Sequence, residues 1–398
     1  MSDSSNKRLI EIAKLFLRLG IIGFGGPAAH IALMEDEVVN RRGWLERGQF
    51  LDLIGATNLI PGPNSTEMAI HVGYLYGGLP GLFLAGFCFI LPAVSITAIL
   101  ARIYTQYGSL PEIAPILAGI KPVVIAIIIG ALYRLGKKAI YKQEQTQIFL
   151  AIATGVIILL FLGINQVIAL LAGGLLGATL LLITGKNRAP GNGSIGMFVG
   201  GLTISSTIKT ASVASSAILT PSLWELGLFF LKVGSILFGS GYVLVAFLQG
   251  ELVDKYNWLT QQQLLDAIAI GQFTPGPVLS TSTFIGYIIL GVPGAIVATI
   301  GIFLPSFCFV FAFNPLIPKM RQSKYASAFL DAVNASALAL MVFVTLRLAQ
   351  STFIEPSFQI IDVAIAVVAA VLVIRFKVNP AWLVLGGAMV GWILSSLL

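Results

Sequence analysis

Residues 56–70 read ATNLIPGPNSTEMAI, and residues 270–284 read IGQFTPGPVLSTSTF. In both, an apolar run stops at a Pro-Gly-Pro triplet, Pro61-Gly62-Pro63 or Pro275-Gly276-Pro277, and hydroxyl side chains follow. Each proline lacks a backbone N–H, and the glycine accepts angles that other residues avoid, so a helix entering the triplet stops and another starts after it. The triplets lie 214 residues apart, and the chain before them keeps that offset. FLRLGIIGFGG (Phe16 to Gly26) falls on FLKVGSILFGS (Phe230 to Ser240), Arg18 on Lys232, Glu37 on Glu251, Trp44 on Trp258 and Asp52 on Asp266. Past the triplet the offset becomes 213, pairing Gly73-Tyr74 with Gly286-Tyr287 and Leu91-Pro92 with Leu304-Pro305. The chain thus reads as two copies of one unit, residues 1–190 and 222–398, with a connector at 191–221. Duplicated units whose interrupted helices converge near the bilayer midplane are the mark of secondary transporters.

Hydrophobic residues make up 57% of the 398 and charged residues 10%. That balance lies far from the globular one and predicts an all-α polytopic membrane protein. Gln145 to Gly185 contains no charged residue and is long enough for two spans hinged near Gly163 to Gln166, given that a crossing takes about 20 residues. The opening MSDSSNKRLIEIAKLF lacks the short apolar core and small-residue cleavage site of a signal peptide, and reads as part of the mature protein. Cys88 and Cys308 read as packing thiols. The formal charge of +7 reads as a topology signal. No basic run is long enough to argue for nucleic acid as a partner.

Loop charge sets orientation, because Lys and Arg concentrate on the cytoplasmic side. The first copy gathers Arg134, Lys137, Lys138 and Lys142, then Lys186 and Arg188. The second gathers Lys319, Arg321 and Lys324 one helix earlier in the repeat, followed by Arg375 and Lys377. Opposite ends of the same unit carry the charge, which predicts an inverted repeat. Two schemes produce the inversion. If each triplet tips a re-entrant hairpin, each half has about five spans and the odd number inverts the second half. If each triplet sits in a broken spanning helix, each half has about six spans, and the Ser/Thr-rich stretch Ile195 to Pro221 crosses once more. The expectation is about 10 to 13 spans.

The broken helices carry the candidate chemistry. Backbone groups freed at a break cannot face lipid, so they face protein, water or a substrate. The helix starts after the triplets, with Asn64, Ser65, Thr66 and Glu67 in one and Ser280 and Thr281 in the other, present N–H groups and the positive dipole end to an anion. Asn58 and Gln272 supply polar groups just before the breaks. Arg18 and Lys232 are aligned cations inside apolar helices, where charge marks a functional candidate, and they are the expected anion ligands. Glu67, on the first turn after a break, has the placement of a proton-coupling group or of a first-turn cap. Asp52 and Asp266, one helix before each break, are further coupling candidates or structural ion-pair partners. His30 and His71 read as hydrogen-bonded helix histidines. Two histidines without a His-Glu-x-x-His helix or a serine–base pair argue against an intramembrane enzyme, and no metal or cofactor is implied.

The run from GFGGPAAHIALMEDEVVNRRGW through LIPGPNSTEMAIHVGYLYGG to AGFCFILPA strongly resembles the chromate ion transporter family. FGSGYVLVAFLQGELVDKYNW with GQFTPGPVLSTSTFIGY and ATIGIFLPSF is similar to that family's second domain, and the resemblance covers nearly the whole chain. The family's motif positions fall here on Gly25, Gly26, Pro27, Asn58, Pro61 to Glu67, Gly239, Gly241, Gln272 and Pro275 to Pro277. The resemblance implies a long-chain, two-domain member in the cell membrane that exports chromate and confers resistance, with sulfate or another tetrahedral oxyanion as the alternative substrate. A passive anion channel is the alternative mechanism, and a monomer and a homodimer both stay open. The residues alone reach an anion transporter with two convergent broken helices.

Overall fold

The computed structural model describes residues 2–108, 110–140, 146–184, 220–238, 241–314, 323–354 and 360–397. Of the connector at 191–221, only Thr220 and Pro221 fall among them, so the proposed crossing of Ile195 to Pro221 lies outside the described residues, as do Lys142, Lys186, Arg188, Lys319 and Arg321. Every regular element described is helical. The first copy holds α1 (Ser2–Ile22), α2 (Pro27–Glu35), α3 (Arg47–Thr57), α4 (Asn64–Tyr107), α5 (Ala114–Ile140), α6 (Thr146–Phe161) and α7 (Gln166–Ile183). The second holds α8 (Leu223–Ile236), α9 (Leu244–Phe247), α10 (Gln261–Phe273), α11 (Thr281–Phe313), α12 (Lys324–Phe353), α13 (Ile360–Ile374) and α14 (Pro380–Leu397). A π-helical turn extends α2 at Asp36–Arg41 and α9 at Leu248–Val253.

Local chemistry sets the ends of these helices. Gly23 to Gly26 interrupt α1, with Gly25 and Gly26 at φ of 103° and 81°, and Pro27 restarts the chain at the first position of α2, where its missing N–H costs nothing. α8 opens on a capping box in which the Ser222 hydroxyl accepts from the Glu225 N–H and the Glu225 carboxylate accepts from the Ser222 N–H. Thr260 and Gln263 do the same for α10.

The two longest helices are not rods. Gly78 has φ 64° and ψ −153°, and Gly291 has φ 63° and ψ −150°, a region essentially reserved for glycine. At each the chain folds back, so that the backbones of Gly73 and Gly81 meet, as do those of Gly286 and Gly294. α4 therefore has a short arm, residues 64–77, and a long arm, residues 79–107. The short arm rises only about 21 Å at 1.5 Å per residue, less than the roughly 30 Å of a hydrocarbon core. The long arm exceeds that thickness.

Small residues let the helices close in on one another. Gly20 of α1 lies against the Phe89 carbonyl of the long arm of α4, and its repeat mate Gly234 of α8 lies against the Ile302 carbonyl of α11. Phe83, near the start of one long arm, stacks on Phe307, near the end of the other, at 5.9 Å. Tyr104, near the end of the first, meets Phe284 on the short arm of α11 at 5.2 Å. Around them α5 packs on α14 through Gly119, Gly387 and Gly391, and α7 packs on α12 through Gly173, Gly174 and Gly177. One apolar core joins these outer helices to α8–α11, whereas α1–α3 and the short arm of α4 keep a core of their own around Phe16, Phe50 and Met68. Among the described residues, five helices are long and apolar enough to cross a membrane, and four shorter apolar ones accompany them.

Candidate functional site

The two triplets are the places where the copies lock together. The Gly62 N–H donates to the Leu237 carbonyl at 2.7 Å, and the Gly276 N–H donates to the Gly23 carbonyl at 2.7 Å. Under the repeat offset Gly62 maps to Gly276 and Gly23 to Leu237, so one bond is the mate of the other. Each triplet is thus satisfied by the interruption that ends α1 or α8 in the opposite copy. Helix α4 passes the second triplet at Ala93, and α11 passes the first at Ser306, again mated positions. Gly62 has φ 142° and Gly276 φ 93°. A side chain on Gly276 would press on Ala93 at 2.9 Å. Gly276→Ala should therefore cost about 2 kcal/mol of stability, read as a lowered unfolding midpoint in detergent.

The first break holds a carboxylate. Glu67 and Thr66 are fully buried, and among the described residues neither Glu67 oxygen nor Thr66 Oγ1 has a hydrogen-bond partner. The Glu67 carboxylate lies over Gly62, in the space a Cβ there would fill, and the Ser306 hydroxyl, also buried and unpartnered, lies beside it. Ser65 is buried next to them. As a helix start the first turn is partly satisfied, since the Thr66 and Glu67 N–H groups reach the Pro63 carbonyl, and Glu67 makes no capping bond. Asn64 donates to Asn58 Oδ1 at 2.8 Å, and Asn58 donates to the Ile54 carbonyl at 2.6 Å. Asn58 is exposed.

The second break is closed and differently polar. Gln272, the mate of Asn58, is buried, its Oε1 accepts from the Tyr242 hydroxyl at 3.1 Å, and its Nε2 has no partner. Tyr242 was not legible as a site residue, because its repeat mate is Ala28. Thr97 and Thr274 bring their hydroxyls to 3.5 Å, while the mated positions Val310 and Ile60 join an apolar cluster. Thr281 donates to the Val278 carbonyl at 2.8 Å, so its proton is engaged within its own helix and not offered to a ligand. Ser280 is buried at the same turn, its N–H bonded to the Pro277 carbonyl.

The aligned cations come out differently from expectation. Arg18 bonds Glu37 at 3.4 Å, and Lys232 bonds Glu251. They are members of ion pairs, each spanning the interruption of its helix, and the structure does not set them bare beside the triplets. A buried carboxylate draws the nearest cation, since leaving either charge alone in an apolar surrounding is expensive. The signal was present in the chain: both pairs are separated by 19 residues. Asp266 is buried and accepts from the Tyr104 hydroxyl at 2.8 Å, whereas Asp52 is exposed, so the mated aspartates occupy unlike surroundings. His30 bonds the Gly23 carbonyl at 2.9 Å, as a helix histidine does, while His71 is buried with both ring nitrogens outside hydrogen-bond geometry. No cluster of metal-ligating side chains occurs among the described residues.

Both copies match one family, the chromate transporters, over residues 10–178 and 224–392. The chain belongs to the chromate transporter family. This member is 30% identical over 395 residues to a chromate transport protein of Cupriavidus metallidurans, covering 98% of this chain and 94% of that one. It is 32% identical to a probable chromate transport protein of Synechococcus elongatus, covering 83% and 81%, and 30% identical to a chromate transport protein of Pseudomonas aeruginosa, covering 95% and 90%. No solved structure matches the chain. Family and apolar helices together make it a multi-pass membrane protein.

Proposed function

We propose that this protein carries chromate across the cytoplasmic membrane by secondary active transport, in the direction of efflux, through a site where the four helix interruptions meet. The observation that carries the reading is the reciprocal pair of bonds, Gly62 to Leu237 and Gly276 to Gly23. It supports two inverted halves related by a pseudo-two-fold axis in the membrane plane, each triplet tipping a re-entrant hairpin. Arm length supports the hairpins, since neither α3, α10 nor the short arms of α4 and α11 could span about 30 Å. The stacking of Phe83 on Phe307 and of Tyr104 on Phe284 supports opposite directions for the long arms.

A site that opens to one side at a time is supported by the unlike exposure of the two breaks. Asn58 is open at the first break, while Gln272 is sealed at the second. Irregular backbone at membrane depth is tolerated where it lines a water-filled cavity, which is the role this reading gives to the Asn58 side. A tetrahedral dianion suits such a site because donors from several directions replace its hydration shell. Sulfate offers nearly the same hydrogen-bonding shell and is the competing substrate.

Isotope-labelled chromate flux into inverted vesicles, with the proton gradient and the membrane potential collapsed separately, tests the proposal. The expected result is concentrative uptake that one of the two collapses abolishes and that excess sulfate inhibits weakly. Flux no greater than in vesicles lacking the protein would refute chromate transport. Flux that only equilibrates would make the protein a passive channel.

A further inference from the structure

Resting on the transport reading, we propose that His30 is a positioning residue for the second triplet. By donating to the Gly23 carbonyl it fixes the acceptor of the Gly276 N–H, keeps the second break shut and so sets which break faces water. The Gly23 carbonyl takes two bonds, one from the Gly276 N–H at 2.7 Å and one from His30 Nε2 at 2.9 Å. A carbonyl oxygen only accepts, so Nε2 carries the ring proton, and the two donors use the oxygen's two lone pairs. The bond from His30 leaves its own helix, α2, and crosses back over the interruption to the residue that follows α1.

The interruption that supplies this carbonyl is soft. Gly23, Gly25 and Gly26 leave three of the residues 23–26 without a side chain, so the backbone there has more conformations open to it than elsewhere. A bond from His30 removes that freedom, because the imidazole is itself held. His30 is buried, and its ring meets the Phe89 ring edge-on at 5.5 Å. Phe89 belongs to the long arm of α4, and one turn further along the same face Ala93 passes Gly276. Triplet, carbonyl, imidazole and long arm therefore close on one another. A side chain on Gly23 would start 2.9 Å from the imidazole, so its absence is what lets the ring reach the backbone.

The mated lock is built without this tether. Under the repeat offsets His30 maps to Leu244, Gly23 to Leu237, Phe89 to Ile302 and Ala93 to Ser306. Leu244 is buried in its turn, yet it has no polar hydrogen to give the Leu237 carbonyl, which receives the Gly62 N–H. At that first break Asn58 is exposed, whereas at the second, where His30 acts, Gln272 and Thr274 are buried. The break with the tether is the shut one. Both locks share the backbone bond, and the side-chain bond from His30 is added to the second alone, which favours the state in which that break is closed.

The test reads access to each break in the full chain in detergent, where the reagent reaches both sides. Cys88 and Cys308 are replaced by Ala, a single reporter is placed as Gln272→Cys or Asn58→Cys, and a water-soluble maleimide is the probe. His30→Leu, which installs the residue of the mated position, should raise the labelling rate at the Gln272→Cys reporter about fivefold, the scale of one hydrogen bond lost from one of two states. The same substitution should lower labelling at Asn58→Cys, because a population that opens the second break closes the first. His30→Gln, whose amide can donate to the same carbonyl, should restore most of the original ratio. Phe89→Ile, which leaves the imidazole unsupported, should shift the ratio the same way by less, and it decides the matter if His30→Leu does not fold. A rise at both reporters would mean that the substitution only loosens the protein, and unchanged labelling would mean that the bond holds nothing shut. Either result overturns the inference and leaves the transport reading intact. Protein without these substitutions that moves neither chromate nor sulfate in proteoliposomes overturns the transport reading itself, whatever the labelling shows.

Discussion

Lys232→Met should destabilise the protein by about 3 kcal/mol or more, while Arg18→Met, its repeat mate, should cost well under half of that. Lys232 is the cation on Glu251 among the described residues, and the Glu251 side chain is only 3% exposed. Removing the partner strands a carboxylate where no water reaches it, and it is this uncompensated charge, not the lost attraction, that is costly. Glu37 is nearly as buried, at 9%, yet Arg41 and Arg42 also hold it, at 3.2 and 3.3 Å. With Arg18 gone, Glu37 keeps two cations. The measurement is the unfolding midpoint of each purified variant in detergent. Adding Glu251→Gln to Lys232→Met should recover much of the loss, because two neutral groups leave nothing stranded. Equal losses for the two single variants, or no recovery in the double variant, would show that these pairs do not hold the interrupted helices together.

Glu67→Gln should abolish concentrative transport and flatten its pH dependence while exchange of anion across the membrane continues. Glu67 is a fully buried carboxyl with both oxygens unbonded, seated over Gly62 and beside Ser306 where the first copy crosses the second. At the mated positions of the second copy stand Ser280 and Thr281, so no ionisable group answers it there. Among the described residues Glu67 makes neither a capping bond nor an ion pair. On the transport reading proposed above, a carboxyl so placed would exchange its proton according to the charge that occupies the site, which is the linkage a proton-coupled carrier needs. The amide has the same shape without the exchangeable charge. Counterflow of labelled chromate in vesicles separates the two functions: exchange without accumulation is the expected outcome. A variant with the wild-type pH profile would move the coupling group to Asp266 or Asp52, or make the membrane potential the driving force.

Much of this protein is readable along the chain because the deciding chemistry is local. Pro61 to Pro63 and Pro275 to Pro277 interrupt helices through their own covalent structure, since a proline's missing N–H and a glycine's tolerance of positive φ, seen here at 142° and 93°, belong to those residues. Apolar composition determines the solvent, the 214-residue repeat determines the two copies, and motifs of this length determine the family. The hinge at Gly163 to Gln166 was legible for the same reason, and the chain turns there between α6 and α7 with Gly163 at φ 80°.

Which groups meet across space was a different matter. Arg18 and Lys232 looked like anion ligands because their place inside apolar helices was visible and their partners, 19 residues away beyond a break, were not. Thr281 looked like a ligand donor until the turn of its own helix engaged its hydroxyl. Glu67 reads along the chain as a proton-coupling group or a first-turn cap, and only the packing shows its carboxylate over Gly62 beside Ser306 with no capping bond. Backbone breaks and hydrophobicity are fixed by each residue's own covalent structure, so sequence determined them. The pairing of charges depends on how the helices pack around each interruption, and that was decided only in the tertiary structure.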